Sequence, residues 1–317
     1  DRPQFGEAFA LAARQGWTGI GIPDERGGQG GDLIELAILA EELGRGAVPA
    51  DPLYATLLAA SALVATDSDE VEPLALGERT AALVHPGGQP ADAGPGEPSA
   101  TLVLGAAEAD LLVKWDGEVL ELYDAAQCTP RLLVDRTRSV ADVELSASPV
   151  QRLEGVGPDA MRSVAARAAV LVAADALGAA QRMLDSTVEY VADRRQFGVP
   201  VGSFQAVKHA AAEMLVAIEG TRAVVHYAAW SVAAGEPDAA VDAWVAKARA
   251  ARAASFVADK ALFLHGAVGY TWEHDLQLLF KRAKSDAELF GGAGVYDDRI
   301  ADALALVPAA RLAWSAA

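Results

Sequence analysis

The chain is predicted to be mainly α with a small β domain set between two helical regions, and three observations point that way. Hydrophobic residues make up 52% of its 317 positions, largely as alanine in helix-like runs, which favours helices buried against one another. Apolar residues recur at helical spacing from Phe5 to Ala65 and return to it beyond Pro158. Between those stretches the chain shifts to short apolar runs punctuated by glycine and proline. The expected organisation is a helical N-terminal domain over 1–65, a reduced β domain over 66–157 and a C-terminal helical bundle over 158–317.

In the first region Ile34, Ala37, Ile38 and Leu43 form an expected helical stripe. Breaks are expected at Gly21-Ile22-Pro23 and at Arg26-Gly27-Gly28-Gln29-Gly30-Gly31, where glycine permits turns that other residues resist. The second of these is read as a turn joining two helices. A phosphate loop would need a preceding strand and a following Lys-Ser/Thr, and neither is present. In the middle region Gly87-Gly88 and Gly94-Pro95-Gly96 punctuate the chain, while Thr101–Leu104 and Leu111–Val113 read as strands. Asp116-Gly117 marks a hairpin within Lys114–Leu122, because this pair readily adopts positive φ. Pro158 suits a first helical turn, and breaks near Gly198-Val199-Pro200, Gly235-Glu236-Pro237 and Gly291-Gly292 divide the rest into four or five helices.

Charge and cysteine content narrow the function. With 26 basic and 44 acidic residues the formal charge is −18, which disfavours nucleic acid and anionic membrane surfaces as partners. An anionic ligand would need specific Arg or Lys residues or a helix N-terminus. The single cysteine, Cys128, excludes an internal disulfide framework and a multi-cysteine zinc site. No run reaches the ~18 uninterrupted apolar residues of a membrane span, and Asp1–Ala10 lacks the pattern of a secretory signal; a cytoplasmic location is expected.

Two passages carry a resemblance. Tyr190-Val191-Ala192-Asp193-Arg194-Arg195-Gln196-Phe197-Gly198-Val199-Pro200, continuing through Phe204-Gln205 to His209 and Met214, resembles the arginine, Phe-Gly, Pro, Phe-Gln passage of acyl-CoA dehydrogenases. His265-Gly266-Ala267-Val268-Gly269, followed by Lys281-Arg282-Ala283-Lys284, resembles that family's His-Gly-Gly-X-Gly and Arg-X-Ala-Lys pattern. Gly21-Ile22-Pro23, Gly27-Gly28-Gln29-Gly30 and Glu41-Glu42-Leu43-Gly44 are similar to its N-terminal landmarks, so the likeness spans most of the chain. It implies an acyl-CoA dehydrogenase-like fold and an FAD cofactor shared across a subunit interface. By position Arg194, Gln196, Phe197, Gln205 and Gly266 become the cofactor-binding residues, Arg194 reaching the pyrophosphate of a neighbouring subunit's FAD. The residue types suit a flavin nucleotide, since arginine offers a planar fork of donors to phosphate and an aromatic face packs on a heteroaromatic ring.

The departures point to function as much as the matches do. Family catalysis removes an α proton with a carboxylate while hydride leaves for flavin. The matched base position is Phe290, before Gly291, and the alternative position used by a minority of members falls at about Ala168. Neither residue accepts a proton, so no catalytic residue is assigned. Asp286 and Glu288 are expected to be surface charges, Glu288 pointing about 200° from Phe290 on a helix. His265 and His274 are expected in core packing or surface hydrogen bonds, and no metal site is expected. The family's Thr-Glu-Pro flavin-cradling passage has no counterpart between Leu83 and Leu104, Phe263 stands where a nucleotide-binding glutamine is common, and Ala267 replaces a glycine. The chain thus resembles the base-less subunit of actinobacterial heterotetrameric acyl-CoA dehydrogenases acting on coenzyme A esters of bulky or steroid side-chain acids. That implies an acyl-CoA dehydrogenase-like partner subunit and an acyl-CoA substrate. A self-sufficient enzyme with a relocated base, and an inert scaffold or regulatory protein, are the alternatives.

Overall fold

A computed structural model describes residues 5–84, 99–124, 128–145 and 148–305. Helices α1 (Phe5–Arg14), α2 (Leu33–Arg45), α3 (Asp51–Leu63) and the short α4 (Val71–Ala75) come first, so helix runs past the expected boundary at 65. Seven strands follow: β1 (Ala81–Val84), β2 (Ser99–Leu104), β3 (Leu111–Trp115), β4 (Leu120–Asp124), β5 (Cys128–Arg131), β6 (Val140–Glu144) and β7 (Gln151–Leu153). Beyond them lie α5 (Pro158–Asp193), a two-stranded hairpin of β8 (Arg195–Gln196) and β9 (Val199–Pro200), α6 (Gln205–Ala234), α7 (Ala239–His265), α8 (Leu276–Glu288) and α9 (Ala293–Ala303). Helix, strand, helix is the predicted order, and the fold is mainly α with a small β part.

Local chemistry sets the ends of these elements. Asp32 caps α2 in a capping box, its carboxylate accepting from Ile34 N at 2.7 Å while Glu35 accepts from Asp32 N at 2.9 Å. Pro158 opens α5 as expected. Gly235 closes α6 with φ +67°, a left-handed C-cap. The stretch 26–31 is a turn: Asp24–Arg26 form a single 3-10 turn, Gly30 pairs with Ile20, and a Cβ on Gly28 would overlap the Ile22 carbonyl. The Ile34, Ala37, Ile38, Leu43 stripe needs correction. α2 buries Leu33, Leu36, Ala37, Ala40, Leu43 and Gly44, so Ala37 and Leu43 lie on the packed face as expected while Ile34 and Ile38 are exposed.

The strands form a four-stranded sheet in the order β1-β3-β4-β7 and a three-stranded sheet in the order β2-β6-β5. Among the described strands only β1 and β3 pair in parallel; the predicted Asp-Gly hairpin joins β3 to β4, with Asp116 Oδ1 accepting from Glu118 N and Val119 N. Gly87-Gly88 and Gly94-Pro95-Gly96 lie outside the described residues, as does most of the stretch where a Thr-Glu-Pro passage would fall.

Among the described residues one helix, α5, is long and apolar enough to cross a membrane, but 83% of its most apolar window is buried inside the protein. It is the core helix of the bundle, packed on α2, α6, α7 and α8. The α2 contact is backbone on backbone. A Cβ on Gly44 would overlap the Asp175 carbonyl, and one on Gly178 would overlap the Glu41 carbonyl.

Candidate functional site

The family-like passage folds into the connection between α5 and α6. Arg194 leaves α5 in extended conformation, and its carbonyl accepts from Val201 N at 2.7 Å, closing the hairpin. Gln196 pairs with Val199 across a two-residue loop, so Phe197 and Gly198 take φ +52° and +79°. Such a turn needs positive φ at both central residues, and an aromatic side chain is strained there. The Phe197 ring is 93% exposed and meets Phe204 edge-on at 6.3 Å. Gln205 is the first residue of α6, with its amide 2.7 Å from His209 Nε2. The Phe204 side chain does not cap the α6 N-terminus, which sits beside this cluster.

Gly266 lies at the end of α7 with φ +64° and ψ −144°, a conformation open to glycine. A ring stack ties it to the hairpin: Tyr190, one turn before Arg194, stacks on His265 at 4.5 Å, and His274 meets His265 edge-on at 4.8 Å. The structure therefore gathers Arg194, Gln196, Phe197 and Gln205 in one connection and joins Gly266 to it through Tyr190 and His265. His265 is a core residue, its Nδ1–H donating to Ala261 O at 2.8 Å, and burial pushes its pKa down. A groove of about 1110 Å³ opens beside this stack, lined by Arg45, Arg182, Tyr190, Arg194, His274 and Leu279. Phe263, Tyr270 and Trp272 are exposed close by in sequence, Trp272 beneath the Lys281 ammonium at 3.8 Å. The groove does not reach Phe290 or Ala168.

The two base positions are interior. Ala168 is fully buried on α5; Phe290 is 7% exposed in the turn after α8, with φ +60° and its carbonyl accepting from Tyr296 O–H at 2.8 Å. Glu288 is exposed as expected, but Asp286 is not a surface charge. It lies fully buried in a cluster that sequence reasoning missed. Arg138, in the turn between β5 and β6, donates to Asp51 Oδ1 at 2.5 Å and contacts Asp286; Ser139 N donates to Asp51 Oδ2 at 2.6 Å. Arg282 grips Asp175 with two bonds of 2.8 and 2.7 Å, and Tyr54 O–H donates to the same carboxylate at 2.8 Å. Two guanidinium groups beside Asp175 hold its pKa well below the ordinary carboxylate range, whereas desolvation holds that of Asp286 well above it. The available signal was Asp175, the one charged residue between Arg167 and Arg182.

Among the described residues no group of three or more His, Cys, Asp or Glu side chains could hold a metal ion. The residues at the hairpin have the chemistry to hold a dinucleotide cofactor: an exposed guanidinium with no ion-pair partner among the described residues, an exposed ring and an uncapped helix N-terminus share one surface.

Comparison with known proteins agrees with the geometry. Residues 2–71 match the acyl-CoA dehydrogenase N-terminal domain and residues 155–305 the C-terminal domain. Acyl-CoA dehydrogenase IpdE2 of Mycolicibacterium smegmatis is 38% identical over 282 residues, covering 89% of this chain and 82% of that protein. The ChsE4-ChsE5 complex of Mycobacterium tuberculosis superposes with a TM-score of 0.84 at 28% identity, over 98% of this chain and 91% of that one. Butyryl-CoA dehydrogenase of Megasphaera elsdenii shares the fold, with a TM-score of 0.85 at 23% identity over 96% of this chain and 90% of that one. With the Arg194 to Gln205 connection, the Gly266 turn and a relative this similar along its length, the chain belongs to the acyl-CoA dehydrogenase family.

Proposed function

We propose that this chain is the non-catalytic partner in a heteromeric acyl-CoA α,β-desaturase, completing an FAD site whose chemistry an acyl-CoA dehydrogenase-like partner subunit supplies. One observation carries the reading: both positions from which a family base would act, Phe290 and Ala168, are buried side chains that cannot accept a proton. FAD, held between the two subunits, would accept the hydride. On this chain Arg194 would donate to its pyrophosphate, Phe197 would pack on its ring system, and Gln196, Gln205 and the Gly266 turn would complete the contact. The ChsE4-ChsE5 complex supports a two-subunit assembly, and the Tcur3481-Tcur3483 steroid acyl-CoA dehydrogenase, which superposes with a TM-score of 0.81 at 26% identity, supports a bulky acyl-CoA substrate.

The test is the flavin content of the chain purified alone and with its partner. The chain alone should carry little FAD and show no desaturation, whereas the complex should be yellow and active; stoichiometric flavin with turnover by the homomer would sink this reading. In the complex, Arg194→Ala should release FAD while the secondary structure stays intact, because it removes a charge-assisted contact from an exposed position. Equal flavin in wild-type and mutant complexes would reject that role.

A further inference from the structure

The cluster around Asp286 joins three parts of the molecule. Asp51 and Tyr54 come from α3, Asp135, Thr137 and Arg138 from the turn before β6, Asp175 from α5, Lys247 from α7, and Arg282 and Asp286 from α8. Arg282 also donates to Val48 O at 3.0 Å and to Thr137 O at 3.1 Å; Lys247 Nζ donates to Asp286 O at 2.9 Å and Gly291 O at 3.1 Å. Asp286 is four residues before Phe290, and Asp175 is seven after Ala168, two turns along the same helix face. The cluster thus stands where the two helices that could offer a base converge. Its charges do not cancel as written: four carboxyls, Asp51, Asp135, Asp175 and Asp286, face three cations, Arg138, Lys247 and Arg282, giving 3 − 4 = −1.

Hydrogen bonding identifies where the odd proton sits. Both oxygens of Asp51 and both of Asp175 accept from N–H groups, so these two carboxylates are ionised. Asp286 and Asp135 each leave one Oδ2 buried with no donor to accept from, but Asp135 lines a cavity and its Oδ1 accepts from both Thr137 N and Thr137 Oγ1, whereas Asp286 accepts from Arg138 alone and shares it with a second carboxylate, Asp175. A proton on Asp286 turns that stranded acceptor into a donor, and Asp175, which shares the Arg138 and Arg282 guanidinium groups with Asp286, is the neighbouring carboxylate. We propose that this cluster is a proton-balanced ionic plug, which fills the interior between the two base positions, keeps its odd proton on Asp286 and leaves the chain no acyl-thioester site of its own. An unpaired buried charge would be strongly unfavourable, and one retained proton removes it. The plug belongs to the chain alone and does not depend on which partner the chain binds.

The plug is tested by melting and infrared spectroscopy of the full chain carrying Asp286→Asn. Asparagine keeps the shape and a donor but needs no proton. Wild type must hold a proton on Asp286 that the unfolded chain releases above its ordinary carboxyl pKa of 3.8, so its stability falls as pH rises from about 4 to 7. The variant lacks that fall: its Tm should equal or exceed wild type at pH 7, with the difference closing toward pH 4. A protonated-carboxyl C=O band in the infrared at pH 7 should vanish in Asp286→Asn. Asp175→Asn, which removes a paired carboxylate, should melt lower than wild type or fail to fold. A Tm at pH 7 lowered by Asp286→Asn, or a carboxylic band unchanged by it, would overturn the proposal by showing Asp286 ionised and needed as a counter-charge.

Discussion

Lys247 shows how a single side chain reports on the interior. It is almost fully buried on α7, and its ammonium donates to three carbonyls at the end of α8: Asp286, Ala287 and Gly291. That caps a helix C-terminus with a cation, yet desolvation outweighs the neighbouring carboxyls and pulls its pKa from 10.5 down to about 8. The sign follows from proton binding. Below pH 8 both folded and unfolded states hold the proton and the burial cost is present in full; between pH 8 and 10.5 only the unfolded state holds it, so this residue's contribution to stability rises with pH. Lys247→Met should therefore lose ground against wild type as urea-melt pH goes from 8 to 10. The comparison must be a difference, because burial of Tyr54 raises its pKa and works in the opposite direction. A constant difference across that range would mean that Lys247 does not titrate there. None of this was legible from sequence, where one of several cationic residues in an alanine-rich helix gives no sign of what it faces.

At the level of elements, sequence was most informative where backbone chemistry is local. Pro158, Asp116-Gly117 and Gly235 fixed a helix start, a hairpin and a helix end, because each acts through its own φ and hydrogen-bonding capacity. The break at Gly198-Val199-Pro200 was readable for the same reason, whereas the rest of the Arg194 to Gln205 connection was read only through its family resemblance. What faces what was harder: Ile34 and Ile38 fit a helical stripe but lie outside the packed face, and Asp286 looked solvated although α3, α5 and the β5–β6 turn enclose it. Both errors concern partners far away in sequence. The α2–α5 crossing gives a test at this scale. Gly44 and Gly178 let these helices meet backbone to backbone, and the atoms in the way of a larger side chain are carbonyls that cannot rotate aside. Gly178→Val should lower stability by about 3 kcal/mol, toward the upper end of overpacking effects, read from the shift in urea midpoint at unchanged slope. Loss below about 1 kcal/mol would mean that α2 can slide without disturbing the core.

The molecule as a whole bears on whether a base is the only thing missing. If it were, Phe290→Glu would place a carboxylate near the α carbon of a bound acyl chain and desaturation would follow. We expect none. Phe290 packs against the hydrophobic core in the turn after α8, four residues beyond Asp286, and that interior already contains one more carboxyl than it has cations. Another acid there would stay protonated, and the substitution would destabilise the fold by a few kcal/mol. The groove beside Arg194, where a ligand could enter, does not extend to Phe290. On the proposed function, the exposed hairpin at Phe197 would meet another subunit's cofactor and the buried cluster at Asp286 would close the interior to a thioester. Stopped-flow measurement of flavin bleaching by acyl-CoA checks this in two settings, the Phe290→Glu homomer and its complex with a partner whose own base has been replaced. Both should stay oxidised through many turnover times of the wild-type complex. Rapid bleaching in either would show that the interior admits substrate once a base is present, and the division between surface and interior would fail.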